Sequence, residues 1–195
     1  MSKKWIGIIL VSALFLLVGC GKEPVENKKV VDDKEVISSK FTGKWKLESV
    51  SVGASDGSDM KDTGLANKMS VDLDIDVDGN VKELFIDDEV AITNSYKLKQ
   101  KDGDKYQCDG PVVSKKVYGY ETESEKAYVQ EVLKMLEAQD DIKITKSEQK
   151  DDEYHVDTKE QKDYVISLEL DSKNLVLKKV DDKENILIQE TYKKN

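Results

Sequence analysis

Val71-Asp72-Leu73-Asp74-Ile75-Asp76-Val77-Asp78-Gly79-Asn80 is the stretch that decides the fold. Apolar and acidic residues alternate along it with a period of two. An extended strand then carries Val71, Leu73, Ile75 and Val77 on one face and a row of carboxylates, Asp72, Asp74, Asp76 and Asp78, on the other. Asp78-Gly79 or Gly79-Asn80 supplies the positive-φ turn of a tight hairpin, and Val81 to Ile86 returns.

The same period extends outward. Lys44 to Val52 carries Trp45, Leu47, Val50 and Val52, and the phase shift between Leu47 and Val50 predicts a β-bulge. Gly53 to Lys68 reads as a long Gly/Ser/Asp loop. Downstream, Val90 to Leu98 is a third strand, and Asp102-Gly103-Asp104 turns into Tyr106 and Cys108. Asp109-Gly110-Pro111 breaks the chain before Val112 to Tyr118. At Thr122-Glu123-Ser124-Glu125 a capping box appears, and Tyr128, Val129, Val132, Leu133, Met135 and Leu136 follow at helical spacing. This predicts one amphipathic helix over about 123–139. Alternation resumes at Ile142/Ile144, Tyr154/Val156 and Val165 to Leu170. Leu175 to Leu177 and Ile186 to Tyr192 close the chain. About eight to ten short strands with one inserted helix predict a mainly β, antiparallel barrel or sandwich.

Length and charge narrow the function classes. The chain has 195 residues, suited to one domain, and 31 basic residues (all Lys) against 40 acids and one His, for a net charge of -9. An acidic balance argues against nucleic acid as a partner, because such binders concentrate positive charge. Two Cys are too few for a disulfide scaffold, and one His with one spare Cys builds no Cys/His zinc site.

The N-terminus is a targeting segment. Lys3 and Lys4 precede an apolar run from Trp5 to Val18, shorter than the roughly 20 residues of a membrane span. The run ends Leu17-Val18-Gly19-Cys20, which resembles the lipobox of bacterial lipoproteins. The resemblance implies a signal peptide over 1–19, with Leu17, Val18 and Gly19 read by the processing machinery. Cleavage would make Cys20 the diacylglyceryl-modified N-terminus, anchored in the cell membrane and facing away from the cytoplasm. Two acyl chains suffice for stable anchoring. Residues 20–40 read as a lipidated, disordered spacer that spans roughly 25 Å. The folded domain is then 41–195. Loss of Lys3 and Lys4 leaves 29 Lys against 40 acids, a charge of -11, so anionic headgroups would repel the domain.

Gly43-Lys44-Trp45, followed by a long loop and a ladder of hairpins, resembles the start of the lipocalins and of lipocalin-like domains of bacterial lipoproteins. That likeness implies a barrel floor at Gly43 and Trp45, a lid at Gly53–Lys68 and a cavity for a small apolar ligand. Lipocalins usually lay an Arg across the Trp. Here Lys178, Lys179 or Lys193 would have to stand in, without the stacking guanidinium. The helix also interrupts the strands, whereas in typical lipocalins it follows the eighth.

Other chemical motifs are thin. Asp74-x-Asp76-x-Asp78-Gly79 matches the first half of a Ca²⁺ loop, but position 12 is Phe85 and Glu83 falls at position 10. The intervening Ile75 and Val77 continue the strand, so no metal site is expected. Weak cation association along the acidic row is the remaining possibility. Cys108 precedes Asp109, the opposite of the electropositive setting a reactive thiol needs, and His155 sits between strand residues. No catalytic constellation, phosphate loop or cofactor motif is present. Tyr118-Gly119-Tyr120 is an aromatic cluster for a cavity mouth, a partner surface or helix packing. These features lead to a non-enzymatic lipoprotein that binds a small apolar ligand without a cofactor. The alternative is a protein-interaction module, such as an inhibitor, immunity or envelope-accessory lipoprotein, using the acidic face or the Gly53–Lys68 loop.

Overall fold

The computed structural model describes residues 37–53, 60–161, 165–180 and 186–195. The lipobox residues Leu17, Val18, Gly19 and Cys20, most of the spacer and part of the loop after the first strand lie outside the described residues. In chain order the elements are β1 (Gly43–Val52), β2 (Lys61–Asp62), a 3-10 turn (Leu65–Asn67), β3 (Ser70–Ile75), β4 (Asn80–Ile86) and β5 (Val90–Asp102). Then come β6 (Lys105–Cys108), β7 (Val112–Gly119), α1 (Glu123–Glu137), β8 (Ile142–Lys150), β9 (Glu153–Glu160), β10 (Val165–Asp171), β11 (Asn174–Val180) and β12 (Ile186–Lys194).

Eight strands close into an antiparallel barrel in the order β1-β12-β11-β10-β6-β5-β4-β3 and back to β1. With its single inserted helix this is the lipocalin-like architecture expected from the sequence. β7, β9 and β8 leave the barrel as a wing. β5 makes the fork possible by its length. Its Leu98–Asp102 half pairs with β6, while Val90–Ser95 pairs with β7 on the same edge and with β4 on the other. Asp109-Gly110-Pro111 is the joint between β6 and β7, with Gly110 at φ +91°. On the facing side, Gln107 opposes Val165 of β10 and Val112 opposes Glu160 of β9. β11 then flanks β10, and β8 flanks β9.

The deciding stretch folds as its pattern requires, with one difference. Val71, Leu73 and Ile75 are each 1% exposed, whereas Val77 is 42% exposed because the strand stops at Ile75. Asp76 is the reason. Its carboxylate accepts from the Asp78 and Asn80 backbone N–H groups and from the Asn80 side-chain amide, at 3.0, 2.8 and 2.8 Å. These bonds fold the chain into the Gly79 turn, at φ +82°. The bulge in β1 falls where expected: Leu47 opposes Tyr192 and Ser49 opposes Thr191, leaving Glu48 unpaired in the ladder. The capping box of α1 is formed, with Thr122 Oγ1 accepting from Glu125 N–H and Glu125 Oε2 from Thr122 N–H. Val129, Val132, Leu133 and Leu136 face the core, while Met135 turns outward.

The closed end is built on Trp45, 2% exposed. Its Nε1–H donates to the Phe41 carbonyl at 3.0 Å. Opposite it in the β1–β12 ladder stands Lys194, whose ammonium lies 5.3 Å from the Trp45 ring centroid. None of the expected stand-ins, Lys178, Lys179 and Lys193, takes this place. Gly43, at φ +121°, leaves room for the Lys194 stem, which would lie 3.5 Å from a Cβ there. Ile37 and Phe41 are fully buried below Trp45, and Ile37 N–H donates to the Val77 carbonyl. Ile37, ahead of the expected start at Phe41, is thus part of the packed core.

Trp45→Ala should cost about 3–5 kcal/mol of unfolding free energy in urea titrations. Lys194→Met should cost about 0.5–1 kcal/mol, the range for an exposed cation on an aromatic face.

Candidate functional site

Period-two alternation sends some charged residues inward. Glu83 falls between the core residues Val81 and Phe85, Asn94 between Ile92 and Tyr96, and Glu190 between Ile188 and Tyr192. Lys179 of β11 and Ser114 of β7 face the same interior, and all five are buried. They form a polar belt at mid-barrel. Glu83 accepts from the Tyr96 hydroxyl at 2.7 Å and the Asn94 amide at 3.2 Å, and Ser114 donates to Asn94 Oδ1 at 2.8 Å. Glu190 accepts from the Lys179 ammonium at 3.2 Å and the Tyr192 hydroxyl at 3.1 Å. Burial pushes the Glu190 carboxyl upward, Lys179 opposes this, and the charge of Glu83 adds to it. Burial and Glu190 together raise the Tyr192 hydroxyl well above its usual value. Such a belt is not needed to hold a barrel together, since apolar residues of similar volume usually do as well. Buried polar groups converging on an apolar space are what a binding site requires.

That space adjoins the belt. A pocket of about 30 Å³, room for one or two waters, lies between Lys179, Glu190 and Tyr192 at its inner end and Leu65, Met69 and Phe85 at its outer end. Leu65, on the 3-10 turn, is 2% exposed and closes it. Outside lies an open groove of about 500 Å³ bordered by Ala66, Lys68, Ile86 and Asp87. Leu47 and Met69 line both spaces, so these two side chains form the partition between them. The groove has the volume of a small-molecule site and the inner pocket does not. Leu65, Ala66, Asn67 and Lys68, at the end of the Gly53–Lys68 stretch, line these two spaces.

The other residues singled out from sequence fall elsewhere. Tyr118 and Tyr120 are buried in the wing, not among the residues lining the mouth pocket. Tyr120 stacks near Tyr154 with ring centroids 5.6 Å apart, donates to the Asp151 carbonyl and accepts from Gln149. Tyr154 in turn accepts from Gln130 of α1, so the cluster joins helix to wing. The acidic row is not a bare ridge: Asp72 pairs with Lys46, and Asp74 sits between Lys44 and Lys82. Desolvation alone would lift the Asp76 carboxyl, but its Asn80 and Asp78 hydrogen bonds and nearby Lys97 hold it below the usual range. Among the described residues no cluster of metal-ligating side chains occurs. Cys108 is buried in β6, and His155 pairs with Glu153 at 2.9 Å. The belt is not among the sequence expectations, which place the charges of an alternating strand on its outer face. The visible signal was a single charge in the apolar phase of a strand.

No family model matches the chain, and comparison with curated proteins and with solved structures likewise gave no match.

Lys179→Met should destabilise the barrel by about 3–5 kcal/mol at neutral pH, because Glu190 is then buried without its cation. Adding Glu190→Gln should restore most of the loss. In the single variant the deficit should shrink as pH falls toward the unfolded carboxyl value. A carboxyl whose folded pKa is raised keeps its proton in the folded state, and the stability this contributes is lost as pH rises. Urea unfolding across pH checks all three points.

Proposed function

We propose that the protein is a membrane-anchored, extracytoplasmic lipoprotein. Its barrel takes a small, largely apolar ligand at the mouth, with no enzymatic chemistry. One observation carries this reading. A ligand-sized groove and a buried polar cluster are separated only by Leu47 and Met69, with Leu65 over the inner pocket. Met is unbranched and repacks readily, so this partition can yield where a β-branched wall would not. A ligand seated there would place its apolar body against Val50, Val71 and Phe85 and its polar end on Lys179, Glu190 and Tyr192. The lipobox Leu17-Val18-Gly19-Cys20 supports the anchor, and the charge of -11 on 20–195 supports a domain standing off the bilayer.

The same groove seen from outside favours a second reading, a protein-interaction module. Ile86 is 45% exposed there beside Lys68, Asp87 and Asp88, an apolar spot with a charged rim. Binding of that kind should weaken steeply with salt. The acidic strand face is the poorer candidate surface, because Lys44, Lys46 and Lys82 lie beside its carboxylates.

Two measurements test the leading reading. Cys20→Ser should accumulate unprocessed precursor without lipid label, and an unchanged mature product would contradict the anchor. N-phenyl-1-naphthylamine should gain fluorescence saturably with the mature chain. Met69→Trp, which fills the partition, should weaken that binding at least tenfold, and a wild-type protein that leaves the probe dark would contradict the pocket.

A further inference from the structure

The wing contains three buried polar residues that the barrel belt does not use, Lys116, Thr158 and Glu160. Lys116 points inward from β7 with only 8% of its surface exposed. Its cross-strand neighbours are Ile92 of β5 and Val156 of β9, so its stem lies between two apolar side chains. Among the described residues it has no ion pair and no hydrogen bond. Burial lowers its ammonium to about 8. Thr158 of β9 is fully buried, and its Oγ1 has no hydrogen-bond partner. Thr158 opposes Ser114, which makes it a diagonal neighbour of Lys116 on the same face, with Cβ atoms about 7 Å apart. Ser114 is turned away to Asn94 and serves neither. Glu160, the buried carboxylate on this face of β9, lies four residues from the Lys116 partner Val156, roughly 13 Å along the strand.

An ammonium offers three donors and no acceptor, and a threonine hydroxyl adds one more. The threonine oxygen can also accept, but the pair still brings more donors than acceptors, and a neutral acceptor would leave the buried charge uncompensated. An oxyanion supplies both needs at once. We propose that Lys116 and Thr158 form a subsite for the carboxylate or phosphate group of a small ligand, on the wing face and separate from the mouth pocket.

Calorimetric titration of the mature chain with inorganic phosphate, acetate, decanoate and decyl phosphate, at constant ionic strength and pH 7, tests this. At least one probe should bind saturably. Tighter binding of the decyl probes would assign the site to the head of an amphiphile, and binding of phosphate or acetate alone would assign it to a free small anion. Lys116→Met should weaken that binding at least tenfold and Thr158→Val about threefold, while N-phenyl-1-naphthylamine binding at the mouth stays unchanged. Lys116→Met should also unfold at higher urea than wild type, whereas a merely structural lysine would give the opposite shift. Lys116→Gln serves as the second variant should Met disturb the packing. No saturable binding of any probe at 10 mM, or binding that survives loss of the lysine, would overturn the proposal.

Discussion

The barrel closes only because its first and last strands meet, and Trp45 is where they are fastened. Its indole is buried between β3 and β12, hydrogen-bonded down to Phe41 and covered by Lys194. The contact joins the two ends of the chain, so its loop-closure cost falls on nearly the whole domain. Everything above depends on it. With β1 held against β12, the inward phase of β12 is set, and Tyr192, Glu190 and Ile188 take their places up the interior. A one-residue slip would turn that row to solvent.

On this frame the interior is divided by chemistry. Part of it is wholly apolar, with Leu73, Leu98, Leu168 and Leu175 each at most 1% exposed and Leu73 opposite Trp45 in the ladder. Above it the belt of Glu83, Asn94, Lys179 and Glu190 holds charges that hydrogen bonds satisfy but that packing does not require. Above the belt come the small pocket, the Leu47–Met69 partition and the groove. The wing repeats the theme with Lys116 and Thr158, whose polar groups have no partner among the described residues. Buried polar groups of this kind cost stability that apolar residues of similar volume would not.

Much of this was legible in the sequence. The strand at Val71, the bulge at Glu48 and the capping box at Thr122 rest on local rules of period, turn and cap, whereas a floor at Gly43 and Trp45 is what the lipocalin resemblance implies. What escaped depends on pairing between distant strands. Lys194 could be matched to Trp45 only through the β1–β12 register, which favoured it over Lys193, Lys178 and Lys179. The placing of Lys46 opposite Asp72, and of Lys44 and Lys82 opposite Asp74, is likewise a cross-strand fact. The fork at Asp109-Gly110-Pro111 looked like a loop, because nothing local says that β5 continues along both sides of the joint. Tyr118 and Tyr120 read as helix-packing residues more readily than as a cavity mouth, and the Tyr120–Tyr154 and Gln130–Tyr154 contacts tie that cluster to α1.

The central claim is that the barrel carries a small ligand past the Leu47–Met69 partition. Native mass spectrometry of the mature chain, purified from the cells that make it without denaturation, tests this most directly. A ligand-binding barrel should show a low-mass adduct that survives desalting and disappears on unfolding, and that Met69→Trp lacks. The bare polypeptide mass from wild-type protein, under conditions that keep the barrel folded, would contradict it.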